Sequence, residues 1–374
     1  MKLKLALNSY VIVNIVGNTL HAFTNSGHKH DYSLEGITEF DCSENHLTAL
    51  PELPDSIISL ISWRNRLISL PKLPPSLKEL HCSDNNLSSL PELPETLERL
   101  FCYNNRLVKL PALPESLKSL GCYNNRLTFL PKLPQSLLIL ECNINQLETL
   151  PRLPKQLRKL DCCDNNLQTL PKLPRCLRLL HCQENVLRSL PELPNSLKRL
   201  WCFVNNLQTL PKLPLSLTIL NIANNQLRNI PRLPPSLKKL LCAANRLESL
   251  PELPENLLIL VCSYNDLKVL PMLPEKLERL DCALNDLKSL PMLPATIKRL
   301  VCNNNSLVFV HPLPKRPIEY AVPKELKIIH NKKNYPIYQQ KYQTYVNLIT
   351  YLTIQNRVLP TILANELWWF PGRL

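Results

Sequence analysis

Long apolar runs are missing from this chain, and glycine is scarce at 5 of 374 residues. No stretch approaches the roughly 20 consecutive apolar residues of a membrane-spanning helix. The apolar run at Leu5–Val16 is interrupted by two asparagines and a serine, and no clear small-residue cleavage site follows it. We therefore expect neither a membrane span nor a secretory signal.

Proline, in contrast, is abundant at 35 residues, which in an aperiodic chain would indicate a disordered linker. Here proline pairs recur every 20 residues, from Pro51 and Pro54 to Pro291 and Pro294. A period of about 20 to 29 residues with the pattern L-x-x-L-x-L/C-x-x-N-x-L is typical of leucine-rich repeats. The repeat asparagines, which we expect to form a structural ladder, are Asn45, Asn65, Asn85, Asn105, Asn125, Asn145, Asn165, Asn185, Asn205, Asn225, Asn245, Asn265, Asn285 and Asn305.

The folding of a single repeat follows from its pattern. Leu80 and Cys82 alternate with polar neighbours, which predicts a short strand with these two side chains inward. Asn85 would pair with backbone groups of the neighbouring turn, since buried polar groups need partners. Ser76 would begin a turn or cap one helical turn, and the proline pairs favour polyproline II. We therefore predict an α/β-class repeat solenoid, a leucine-rich repeat horseshoe with a parallel β-sheet on the concave face and an extended convex side.

Three segments are predicted along the chain. Residues 1–33 would form an N-terminal cap, residues 34–314 a solenoid of about 14 repeats, and residues 315–374 a basic C-terminal cap. Helical spacing in the last segment is shown by Tyr338, Tyr342, Tyr345, Ile349 and Leu352. The alternative for this segment is a partner-binding tail, because it holds lysines and two neighbouring tryptophans.

Fourteen cysteines would fit a secreted disulfide scaffold, but their placement argues otherwise. Twelve of them share one column of the repeat, where Ser62 and Ile222 fill the other two places. A column that accepts isoleucine requires a small apolar side chain, which is how a free cysteine behaves in a core. Parallel thiols on adjacent strands suit neither a disulfide nor a tetrahedral metal site. We therefore expect buried, reduced thiols and an intracellular, reducing compartment.

The repeat Leu-Pro-x-Leu-Pro-x-x-Leu-x-x-Leu-x-Cys-x-x-Asn-x-Leu resembles the 20-residue leucine-rich repeats of bacterial effectors of the YopM and IpaH type. Its cysteine column and its asparagine- and lysine-rich tail are most similar to the mimivirus-like leucine-rich repeat proteins of giant amoeba-infecting viruses. The resemblance covers about residues 34–314. It implies an interaction scaffold, with the host cytoplasm as its location.

Two departures from the effector pattern matter. IpaH-type proteins carry a C-terminal ubiquitin-ligase domain with a Cys-x-Asp motif, and effectors usually carry a helical hairpin before the repeats. Here residues 315–374 contain no cysteine, and residues 1–33 are short and partly strand-like. The Cys-x-Asp pattern occurs by chance at Cys82 and Cys162, inside the repeats, where both thiols should be buried. The resemblance therefore argues against ligase activity in this chain.

The outward strand positions do not repeat, so specificity is expected there. They collect aromatic residues, and exposed aromatic clusters serve as anchors in protein interfaces. The alternative is that the rings stack along the sheet and only stabilise it. The residues predicted to bind a partner on the concave face are Trp63, His81, Phe101, Tyr103, Tyr123, Glu141, Asp161, His181, Trp201 and Phe203.

The formal net charge of +14 has two interpretations. It serves solubility alone, or it attracts an acidic partner. Basic side chains beside aromatic rings also suit single-stranded nucleic acid, but no recognised motif supports that partner. On the concave face, the predicted basic stripe is Arg99, Lys159, Arg199, Lys239, Arg279 and Arg299.

One group of side chains consists of residue types that are found in catalytic sites. Asp161, Cys163 and His181 would lie together on the concave face, as in an activated thiolate. An open sheet excludes no water and offers no evident oxyanion hole, so we expect no enzyme activity, no cofactor and no metal. The leading hypothesis is a non-enzymatic scaffold that binds a protein, with a host protein implied by the resemblance. The alternative is a substrate-recognition adaptor of a ubiquitin-ligase assembly, recruited through residues 315–374.

Overall fold

The computed structural model describes residues 2–4, 10–16, 19–24, 29–33 and 36–307. The chain divides into two units, Met1–Glu319 and Tyr320–Leu374. All of the second unit lies outside the described residues, as does the whole predicted cap or tail at residues 315–374.

The described residues of the first unit form two β-sheets. The smaller sheet is antiparallel and consists of β2 (Tyr10–Val16), β3 (Thr19–Thr24) and β4 (Lys29–Ser33). The larger sheet has 15 strands, and β1 (Lys2–Lys4) pairs in parallel with β5 at one edge. Its remaining strands are β5 (Glu39–Asp41), β6 (Ser59–Ile61), β7 (Glu79–His81), β8 (Arg99–Phe101), β9 (Ser119–Gly121), β10 (Ile139–Glu141), β11 (Lys159–Asp161), β12 (Leu179–His181), β13 (Arg199–Trp201), β14 (Ile219–Asn221), β15 (Lys239–Leu241), β16 (Ile259–Val261), β17 (Arg279–Asp281) and β18 (Arg299–Val301).

The large sheet stacks the repeats in register. Leu80 of β7 faces Leu100 of β8, and neighbouring strands keep this offset of one repeat. Leu80, Leu100 and Cys82 are all fully buried, because alternate residues of a strand point to opposite faces. The predicted parallel-sheet solenoid is confirmed, and its core consists of the leucine and cysteine columns.

Each repeat asparagine holds two turns together. The Leu67 N–H donates to Asn85 Oδ1 at 2.9 Å. The Asn85 side-chain Nδ2 donates to the carbonyl oxygens of Ser62, Cys82 and Ser83 at 2.9, 3.2 and 3.0 Å. Asparagine thus satisfies backbone groups of its own repeat and of the preceding repeat, and later repeats show the same bonds.

The residue before each repeat asparagine has a left-handed backbone conformation. Its φ lies between 49° and 59° from Glu44 to Asn304. No glycine occupies this position, and Ile144 and Val204 adopt it although β-branched residues do so at a cost of about 1–2 kcal/mol. The stacked turns therefore impose a left-handed conformation that could not be predicted from the residue types at this position.

The convex side is extended, as predicted. Within the described part of the chain there is no helix, and so none that is long and apolar enough to cross a membrane. The Leu77 N–H donates to Pro74 O at 3.1 Å and closes a turn. Ser76 Oγ caps no helix. It donates to Ile57 O of the preceding repeat at 3.0 Å, and serine or threonine hydroxyls repeat this bond along much of the stack.

Candidate functional site

Five rings lie side by side on the concave face of repeats near the N-terminal end of the large sheet. Tyr103 and Tyr123 stack with ring centroids 4.3 Å apart and planes 7° from parallel. His81 lies 5.4 Å from Phe101 and 5.8 Å from Tyr103 between ring centroids. Each ring is half-buried, so the rings stabilise one another and still present part of their surface. This aromatic row consists of Trp63, His81, Phe101, Tyr103 and Tyr123.

A glycine and a neutral histidine shape the aromatic row. A Cβ at Gly121 would lie 3.1 Å from Phe101 Cδ1, so glycine gives the Phe101 ring room to lie against β9. His81 Nε2 lies 3.3 Å from the Tyr103 hydroxyl. Burial lowers the pKa of His81, so its ring is neutral at pH 7. Gly121 was not among the predicted site residues, because a glycine has no side chain that would indicate a site.

In the middle of the concave face, acidic side chains face basic ones. Glu141 forms an ion pair with Lys159. Asp161 Oδ2 lies 3.2 Å from His181 Nδ1, and the His181 ring stacks on Trp201 at 4.6 Å and 15°. The structure therefore brings together Asp161, His181 and Trp201 from three successive strands, all from the predicted binding set.

Cys163 lacks the properties of a nucleophile. Its side chain is buried, and its backbone N–H donates to Asp161 Oδ1 at 3.4 Å. Burial raises the pKa of the Cys163 thiol well above its usual range, and the nearby Asp161 carboxylate raises it further. Reactive cysteines require the opposite shift. All fourteen cysteines are unpaired thiols, and no group of side chains in the described ranges is arranged to hold a metal ion.

Two carboxyl groups beside this centre, one buried and one half-buried, were not predicted. Asp164 and Glu184 occupy the left-handed position of successive repeats, between Ile144 and Val204 in the same column. Burial raises the pKa of Asp164 to about 7, with Glu184 adding to the shift, and burial alone raises the pKa of Glu184 to about 7. Asp164 Oδ2 is buried and accepts no hydrogen bond from any described residue. The sequence does place these two acidic residues directly before repeat asparagines, at neighbouring repeats of one column.

The predicted basic stripe is electrostatically divided. Arg99 pairs with Glu79 at 2.7 Å, and Lys159 pairs with Glu141. Its other four members, beginning at β13, form no ion pair with any residue that the structure describes. The unneutralised positive charge of the stripe is therefore concentrated in its C-terminal half.

An apolar surface lies beside these free cations. Ala223, Ala243 and Val261 are buried at its centre, and Phe203, Leu241 and Ile259 pack around them. We call these six residues the apolar floor. Sequence reasoning singled out Phe203 but not the aliphatic residues, because alanine and valine in a strand give no functional signal by themselves.

Comparison with known proteins identifies the repeat type. No protein-family profile and no curated protein matches the chain. Among solved structures, the leucine-rich effector protein YopM from Yersinia pestis is 38% identical with a TM-score of 0.71, covering 77% of this chain and 83% of YopM. YopM from Yersinia enterocolitica is 36% identical with a TM-score of 0.64, covering 76% of this chain and 72% of YopM. A Leptospira interrogans leucine-rich repeat protein is 26% identical with a TM-score of 0.58, covering 75% of this chain and 81% of that protein.

The parallel sheet, the asparagine bonds and the helix-free convex side define a leucine-rich repeat solenoid. With more than 30% identity over most of each YopM chain, this chain belongs to the family of leucine-rich repeat proteins with YopM-type repeats. The predicted resemblance to this repeat type is confirmed.

Proposed function

We propose that this chain is a non-enzymatic scaffold that binds a partner protein, a host protein by analogy with effectors, on its concave face. The observation that carries the proposal is the set of half-buried rings on an open sheet, in the aromatic row and at Trp201 and Phe203. Tryptophan, tyrosine and arginine supply much of the binding energy of protein interfaces. The rings also contact one another, so they are held in place before a partner arrives, which lowers the entropy cost of binding.

Affinity recovery of partners from host-cell lysate tests this function. We expect Trp201→Ala/Phe203→Ala and Trp63→Ala/Tyr103→Ala each to weaken binding by at least about 30-fold, because the loss of a single hot-spot residue costs about 2 kcal/mol or more. Phe129→Ala is the matched control, since Phe129 is 54% exposed but lies outside the outward strand positions. Equal recovery by the control and both double variants would refute binding through these rings.

Absence of thiol catalysis is part of the proposal. The buried, protonated Cys163 supports it, because burial disfavours the thiolate that would attack a substrate. Cys163→Ser should leave partner recovery unchanged. A turnover signal that this substitution abolishes would overturn the proposal.

The finer parts of the proposal concern origin, location and the adaptor alternative. The unpaired thiols support a reducing, intracellular location such as a host cytoplasm, and the cysteine column supports the giant-virus likeness. The adaptor alternative depends on residues 315–374, which lie outside the described residues. Deleting them would favour the adaptor if one partner is retained while ubiquitin-ligase components are lost.

A further inference from the structure

The apolar floor and the free cations form one continuous surface. In the large sheet Lys239 pairs with Ile259, and Ile259 pairs with Arg279. Neighbouring strands lie about 4.8 Å apart, so each cation is within side-chain reach of the apolar residue beside it. A partner that covers the floor must therefore also meet the cations at its edge.

Arg279 and Arg299 are the members of this surface with unused binding capacity. They face each other across β17 and β18, and the Nε of each is buried without a hydrogen-bond acceptor among the described residues. Burial lowers the pKa of Arg279, the neighbouring Arg299 adds to the shift, and the Asp281 carboxylate opposes it. Asp281 interacts electrostatically with Arg279, but it accepts from the Ala283 N–H at 3.5 Å and forms no ion pair with either arginine.

We propose that this surface binds a segment of the partner protein that places a bulky apolar side chain on the apolar floor and a carboxylate against Arg279 and Arg299. Guanidinium groups pair with carboxylates through two parallel hydrogen bonds, and in the described part of the chain no carboxylate forms an ion pair with either arginine. The inference rests on the proposed function and adds the chemical class of the ligand: a segment in which aspartate or glutamate lies next to leucine, isoleucine, phenylalanine or methionine.

Charge and chemistry favour this occupant over two others. The chain's own residues 315–374 hold nine basic and three acidic side chains, so the arginine pair would repel them. Single-stranded nucleic acid needs aromatic planes on which bases stack, and the apolar floor is aliphatic apart from Phe203.

Selection from a displayed library of random 12-residue peptides on the full chain tests the inference. We expect the enriched peptides to combine acidic and bulky apolar residues. Their binding should weaken at least tenfold with Arg279→Gln/Arg299→Gln, and less with the charge-preserving pair Arg279→Lys/Arg299→Lys. The matched control is Arg246→Gln/Lys268→Gln, which removes two exposed cations outside the outward strand positions and should leave binding unchanged.

Several results would overturn the inference. These are enrichment of no peptide, enrichment of peptides without acidic residues, and equal binding by the arginine variant. A dimer in sedimentation that Arg279→Gln/Arg299→Gln dissociates would instead assign the surface to a second copy of the chain. The urea unfolding midpoint of the variant should be no lower than that of the native chain, so that lost binding does not reflect lost folding. If lysate partners depend on Trp63 and Tyr103 but not on the arginines, this inference fails and the proposed function stands.

Discussion

Removal of one ladder asparagine should cost far more stability than removal of its neighbour in sequence. Asn165 is buried, and its Oδ1 accepts from the Leu147 N–H at 2.9 Å. Its Nδ2 donates to the carbonyl oxygens of Cys142, Cys162 and Cys163 at 3.1, 3.2 and 3.0 Å. Asn165→Ala deletes all four bonds and leaves a small cavity among buried groups.

The magnitude follows from which groups lose every partner. The three carbonyl oxygens keep other donors, namely the side chains of Asn145 and Asn185 and the Ile144 N–H. The Leu147 N–H alone is orphaned, which costs about 1–3 kcal/mol. With about 1 kcal/mol for the lost donor bonds, we expect the free energy of unfolding to fall by about 2–4 kcal/mol.

Urea denaturation of Asn165→Ala and Asn166→Ala measures the difference. Asn166 is exposed, and its side chain makes no hydrogen bond to any described residue, so its loss should change stability by less than about 0.5 kcal/mol. Hydrogen exchange should also show lost protection of the Leu147 amide in Asn165→Ala only. Equal unfolding free energies for the two variants would contradict the hydrogen-bond argument.

Three further predictions use other parts of the solenoid. In the folded chain only Cys176 should react with iodoacetamide at pH 8, because it alone of the fourteen thiols is not buried; mass spectrometry that finds a second modified cysteine would contradict the buried column. Asp164 and Glu184 have a folded-state pKa of about 7, against about 4 when unfolded. The folded chain therefore binds more protons between these values, and stability should fall as pH rises from 4 to 7. Asp164→Asn/Glu184→Gln should reduce the difference between the unfolding free energies measured by urea titration at pH 5 and 7.5. An unchanged difference would refute the assignment of this pH dependence to the two carboxyl groups. Ile144→Asn should raise the unfolding free energy by about 1 kcal/mol, because asparagine tolerates the left-handed conformation better than a β-branched residue; a lower midpoint than the native chain would count against strain at this position.

The fold could be predicted because the same pattern recurs in fourteen repeats, and the leucine, cysteine and asparagine columns all indicate the same solenoid. Charges were harder to predict. The neutralisation of Arg99 by Glu79 depends on strand register, and that of Lys159 by Glu141 crosses from one column to another. The basic stripe was predicted as one uniform row of positive charge, but in the structure its first two members are neutralised and the other four form no ion pair with a described residue.

Members of the candidate site could be predicted where the residue type itself indicates binding. They could not be predicted where a residue's role depends on the neighbours that the fold places around it. The aromatic residues stood out by their side chains, and the rings contact one another as the stabilising alternative predicts, while partner binding by their open parts stays a prediction. Asp164 and Glu184 are ordinary residue types whose pKa values are raised by burial in the stack, with Glu184 adding to the shift at Asp164. Gly121 has a role only because Phe101 lies against it.

The side-chain bonds between repeats give the stack a direction. Asn85 serves the backbone of the repeat before it through the Leu67 N–H, and Ser76 does the same through Ile57 O. The ladder asparagine and the serine hydroxyl thus both complete the backbone of the repeat that precedes them. During synthesis from the N-terminus, the newest repeat would always wait for the next before its own backbone is satisfied, so growth of the solenoid proceeds with one unfinished turn at its leading end.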